Sequence, residues 1–230
     1  MGSVCGIVGF IIYLGIAFIL ENFWWQKIPV ETTQNQLTVL GSPLHSQINM
    51  DGHLLKGLAM ILFIIAFLGL TRLLETERPR LSSRIGGLFG IIACPIMVAQ
   101  MLAQGTVRVR LGRMFISATD EAQRQSIVVL YKGLQSFDMG LDLAFDTFFF
   151  AAWILLGLSM FKSEYFGKIF GALGIVLFGI TAVLKIWTAP NPPSFEMAPI
   201  VSFWALAAYV QMLRSAKSIW TEEKRTFWED

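Results

Sequence analysis

Six apolar stretches constrain this chain more than any other feature; they run near Val4 to Leu20, Leu54 to Leu74, Ile85 to Ala103, Leu141 to Phe161, Phe166 to Trp187 and Ala198 to Leu213. Each approaches the roughly 20 residues that an α-helix needs to cross the hydrocarbon of a bilayer. Composition agrees: of 230 residues 55% are hydrophobic and only 15% charged, and the mean hydropathy is +0.61, outside the range of an ordinary water-soluble domain. The expectation is an all-α polytopic membrane protein whose main solvent is the lipid bilayer. Its six transmembrane helices are expected near residues 4–25, 54–74, 85–104, 138–161, 166–187 and 196–213.

The first stretch differs from a secretory signal. No basic residue precedes it, no small-x-small site follows it, and Glu21, Asn22, Phe23, Trp24 and Trp25 read as an interfacial aromatic belt. Cys5 and Cys94 both lie in apolar segments, as small core residues rather than a disulfide framework. The basic residues are dispersed rather than gathered in a patch, which argues against nucleic acid as a partner.

With the N- and C-termini in the cytoplasm, the inner segments hold ten basic residues, Arg72, Arg78, Arg80, Arg84, Lys162, Lys168, Arg214, Lys217, Lys224 and Arg225. The outer side then holds eight, Lys27, Lys56, Arg108, Arg110, Arg113, Arg124, Lys132 and Lys185. The excess follows the positive-inside rule and supports that orientation. Five of the outer eight fall in the third loop, Gly105 to Ser136, which weighs against that orientation.

That loop is the least loop-like. Ser117 or Thr119, followed by Asp120 and Glu121, reads as a helix N-terminus, and Ile127, Val128, Leu130, Tyr131 and Leu134 extend an apolar face. An interfacial helix near 118–136 is expected, with continuity into the fourth span left open. The first loop, Gln26 to Asp51, should be irregular or carry short elements, and residues 215–230 should form a cytoplasmic amphipathic tail. Glycines recur at the inner starts of the odd-numbered helices: Gly6 and Gly9, then Gly86, Gly87 and Gly90, then Gly171 and Gly174. These faces should pack closely on other helices, and the echo suggests three helical hairpins repeated in parallel.

The fourth span carries Asp138, Asp142 and Asp146, each four residues after the last. On a helix they form one drifting stripe roughly 12 Å long, in a segment where a carboxylate normally faces protein, water or an ion. Counting from the same side places Lys185 at the outer end of the fifth helix and Lys56 and His53 at the outer start of the second. Gln100 and Gln104 then share a face at the end of the third helix, and Glu196 begins the sixth. These nine residues are expected to line a polar pocket in the outer leaflet, unless the acids only clamp helices together, with Asp142 and Lys185 as the expected pair.

Catalytic motifs are missing: no G-x-S-x-G elbow, P-loop or H-E-x-x-H occurs, and two histidines are too few for a histidine-rich metal site. The aspartate spacing resembles half of the acid pattern by which membrane prenyltransferases hold magnesium and diphosphate. Those enzymes use a second acidic motif and more than six helices.

Over nearly its full length the chain resembles a bacterial family of small six-helix membrane proteins carried as a domain of unknown function. The resemblance rests on Leu70-Thr71-Arg72-Leu73-Leu74, on Cys94-Pro95-Ile96, on the Ser117 to Gln135 helix and on Phe161-Lys162-Ser163-Glu164-Tyr165-Phe166-Gly167-Lys168-Ile169-Phe170-Gly171. It implies a cytoplasmic-membrane location and no particular substrate. The expected function is therefore non-enzymatic and cofactor-free, the binding of a small cation or polar ligand in the outer pocket. The alternatives are a structural or regulatory membrane protein and, third, an enzyme acting on a lipid or isoprenoid.

Overall fold

The computed structural model describes residues 1–19, 32–188 and 198–229, and the side chains within 1–15, 32–188 and 200–217. Its regular elements are all helical: α1 (Gly2–Ile19), α2 (Thr33–Gly41), α3 (Pro43–Glu77), α4 (Leu81–Leu102), α5 (Arg108–Ser117), α6 (Glu121–Phe161), α7 (Lys168–Thr188) and α8 (Ala198–Glu229). A single π-helical turn, Ala103–Val107, joins α4 to α5 without a break.

Among the described residues, four helical runs are long and apolar enough to cross a membrane: Pro43–Glu77, Leu81–Ser117, Glu121–Phe161 and Lys168–Thr188. Gly2–Gly15 is a shorter apolar helix, and α8 covers the last expected span. Residues 20–25 of the first expected span and 196–197 of the sixth lie outside the described residues.

Length is where the helices depart most from expectation. At 1.5 Å per residue the 41 residues of α6 extend about 61 Å and the 35 of α3 about 52 Å, against a hydrocarbon thickness of about 30 Å. A large part of each therefore lies beyond any hydrocarbon core. The third loop is a helical hairpin: α4 continues through the π turn into α5, three residues turn, and α6 runs unbroken into the fourth span. Local chemistry sets these ends. Asp120 Oδ1 accepts from the Gln123 N–H at 2.7 Å, and the Gln123 side chain accepts from the Thr119 N–H, so the cap of α6 is Asp120 rather than Ser117 or Thr119. Thr32 caps α2 by accepting from the Asn35 N–H, and Pro43 occupies the first turn of α3, where its missing N–H costs nothing.

The chain divides into two compact units. The first comprises Met1–Val8, Leu62–Cys94 and Asp146–Asp230. Its core is aromatic: Trp153 stacks on Phe178 at 5.4 Å and meets Trp204 edge-on at 5.5 Å and Phe67 at 5.3 Å. Such pairs contribute roughly 0.5–1.5 kcal/mol each beyond their burial. The expected glycine faces are sockets for these rings, Gly90 under Phe67, Gly174 under Trp204 and Gly6 under Tyr209. The turn between α6 and α7 is fastened from α3. Glu77 Oε1 accepts from Ser163 Oγ at 2.9 Å and from the N–H groups of Glu164 and Tyr165. Arg80 donates to the carbonyls of Ser159 and Lys162. Much of α7 turns apolar side chains outward, among them Ile169, Val176, Val183 and Ile186, as a helix facing lipid does.

The second unit comprises Gly9–Ile61 and Pro95–Phe145. In it α2 crosses α5 with the Gly41 and Gly112 backbones in contact; a Cβ on Gly112 would come within 2.5 Å of the Gly41 nitrogen. That crossing nucleates a small core of Leu37, Leu40, Leu111, Phe115, Ile127 and Tyr131. It is built from the segments that the sequence suggested were loop and interfacial helix.

Candidate functional site: a buried polar cluster around Asp138

Asp138 is 2% exposed and lies in the part of α6 that belongs to the second unit. Arg108, the first residue of α5, reaches its Oδ2 twice, from Nε at 2.8 Å and from Nη2 at 2.5 Å. The guanidinium is the more open partner, with its side chain 24% exposed against 3% for the acid. Gln100, 4% exposed and two turns earlier on α4, donates from Nε2 to the Asp138 main-chain carbonyl at 3.3 Å. The remaining acceptors of both side chains, Asp138 Oδ1 and Gln100 Oε1, are buried and receive no protein hydrogen bond. An unanswered buried acceptor costs about 1–3 kcal/mol.

The π turn explains how α4 and α5 bring these groups together. In an uninterrupted α-helix, eight residues accumulate roughly 80° beyond two full turns, which would swing Arg108 away from the face of Gln100. A π turn closes i to i+5 and takes in an extra residue, offsetting much of that drift. Its backbone is used as well: the Gln104 carbonyl accepts from Asn49 Nδ2 at 3.2 Å. Gly105 lets α3 come close, since a Cβ there would meet His53 Cβ at 2.9 Å.

His53 is held at both ring nitrogens. Nδ1 lies 2.7 Å from the Asn49 carbonyl, an obligatory acceptor, so it carries a proton. Nε2 lies 3.0 Å from the Gln104 side-chain amide. Two chemical states satisfy that second contact: a neutral ring accepting from the Gln104 NH2, or an imidazolium donating to its oxygen. Lys56 and Arg108 both bear electrostatically on this ring. Lys56 is itself buried, with its ammonium 5.9 Å from the centre of the Tyr13 ring.

Among the expected site residues, the second unit thus brings together Asp138 and Gln100, and His53 and Gln104, with Lys56 on the same helix as His53. Asp142 follows one turn along α6 and is partly buried. Asp146 and Lys185 belong to the first unit, where Lys185 Nζ lies 2.9 Å from Asp146 Oδ2. The lysine expected beside Asp142 is therefore an ion-pair partner of Asp146. The drift of the stripe gives the reason: over the eight residues from Asp138 to Asp146 the face turns by roughly 80°, enough to present the two acids to different neighbours. Glu196 lies outside the described residues.

Arg108, the main partner of Asp138, was counted in the sequence only as a loop charge. A signal for it exists: Gln100, Gln104 and Arg108 repeat the four-residue spacing of the aspartates, and Gly105-Thr106 concealed the continuation. Among the described residues, no three His, Cys, Asp or Glu side chains are grouped so as to hold a metal ion. Comparison with protein-family models, with curated proteins and with solved structures finds no match for this chain.

Proposed function

We propose that this chain is a six-span protein of the bacterial inner membrane, with both termini cytoplasmic, that performs no catalysis and binds a small cation or polar ligand at the Asp138 cluster of its second unit. One observation carries the reading: Asp138 Oδ1 and Gln100 Oε1 are buried acceptors without a protein donor, on residues already bonded to each other. Buried polar groups are nearly always satisfied, so two orphans in one cluster mark a place where a further partner belongs. The π turn beside them fits the same reading, because such turns concentrate at functional sites. The basic-residue excess supports the orientation, and the family resemblance supports the inner-membrane placement.

The test is thermal stability of the purified protein in detergent against sodium, ammonium and glycerol, in the wild type and in Gln100→Met. Stabilisation by any of these solutes that the variant loses is expected. Equal responses of the two proteins to every solute would remove the reading. Orientation is tested by thiol labelling from outside the cell. With Cys5 and Cys94 replaced, a cysteine at exposed Gln125 should react and one at exposed Lys162 should not.

A second reading, a structural membrane protein whose acids only hold helices together, is favoured by Asp146 and Lys185, which close on each other at 2.9 Å. On that reading Lys185→Met, which strands the more buried partner, destabilises more than Asp146→Asn.

A further inference from the structure

The Asp138 carboxylate is already paired, with the Arg108 guanidinium on its Oδ2. What is left over is acceptor capacity alone, Oδ1 of Asp138 and Oε1 of Gln100. A cation approaching Oδ1 would do so beside the Arg108 guanidinium that already occupies the same carboxylate, and in a buried setting that repulsion is weakly screened. An anion would face two lone-pair-bearing oxygens. An uncharged molecule with two O–H or N–H groups answers both orphans without adding a charge beside the ion pair.

Both orphan oxygens are buried. Arg108 is the outward partner of the pair, one-quarter exposed over an acid that is almost wholly buried. It stands at the junction of α5 with the π turn.

We propose that the Asp138–Gln100 site takes a small uncharged hydrogen-bond donor of the polyol or primary-amide class, seated beside the Arg108 guanidinium. The proposal rests on the ligand-binding reading given above and narrows it to one ligand class.

Saturation-transfer difference NMR on the protein in detergent tests it, with glycerol and methylammonium as probes at matched ionic strength. Glycerol should receive saturation from the wild type with a dependence on concentration that levels off, and lose at least most of it in Gln100→Met. Gln100→Asn, which keeps the amide but withdraws it by one methylene, serves in the same comparison if the methionine variant does not elute as a folded species. Methylammonium should give no Gln100-dependent signal. If methylammonium gives that signal and glycerol does not, the uncharged class is wrong while the broader ligand-binding reading stands. If neither probe gives a Gln100-dependent signal, both fall, and the orphan oxygens serve at most an internal water.

Discussion

Arg108 and Asp138 form a one-sided pair: two guanidinium N–H groups converge on Oδ2, while Oδ1 of the same carboxylate receives no protein donor. The asymmetry extends to burial, since the acid is enclosed and the guanidinium partly open. Removing one partner therefore differs from removing the other. Arg108→Met strands a buried carboxylate and should lower stability by about 3 kcal/mol or more. Asp138→Asn leaves a cation that has an outside face to turn to, and should cost less. The double variant should recover much of the loss of Arg108→Met. Chemical denaturation of the four proteins in detergent measures the coupling, and additive losses would show that the pair contributes nothing specific.

The crossing of α2 and α5 yields a prediction independent of the polar cluster. A Cβ on Gly112 meets main-chain atoms of Gly41, Leu37 and Leu40, which cannot rotate out of the way. Gly112→Ala should separate the helices and cost about 1–3 kcal/mol. Hydrogen exchange should show faster exchange in α2 and α5 and unchanged exchange in α7. Protection equal to that of the wild type would mean that the two backbones do not touch.

His53 offers a spectroscopic prediction. Its Nδ1 faces a carbonyl and must donate, so the neutral ring is held in the Nδ1–H form, with the Gln104 amide turned to donate to Nε2. The chain has two histidines, so nitrogen-15 spectra of histidine-labelled protein are readily assigned with a His45→Gln variant. The His53 signals should report a protonated Nδ1 throughout the range from about pH 5 to about pH 8, in which histidine ordinarily titrates. A neutral ring protonated at Nε2 would contradict the contact to Asn49.

Much of the architecture was legible in the sequence because apolar runs long enough to cross a membrane become helices, and their glycines become packing surfaces. Gly90 and Gly174 sit under aromatic rings as the small-residue spacing suggested. Less legible was where the helices end. Pro43 and the cluster Ser117 to Asp120 do fall at helix breaks, between α2 and α3 and between α5 and α6, but Gly105-Thr106 lies within a continuous helical run. A proline at a first turn and a glycine within a π turn satisfy the backbone as well as a loop would. The cost of that misreading was Arg108. Once placed in a loop, it could not be seen as the third member of a polar face that begins at Gln100. The aspartates were recognised for their spacing, but a regular step of four hides a slow rotation, and that rotation separates the partner of Asp138 from the partner of Asp146.

The central claim is that Asp138 keeps one oxygen for something other than this chain. A density map of the protein prepared with glycerol, resolved well enough to place the Asp138 carboxylate and the Gln100 amide, tests it most directly. Density that belongs to no residue is expected within hydrogen-bond distance of both Oδ1 and Oε1, with Arg108 still on Oδ2. A carboxylate whose two oxygens are both taken by side chains or main-chain N–H groups, with nothing foreign beside it, would contradict the account and leave Asp138 as a clamp between helices.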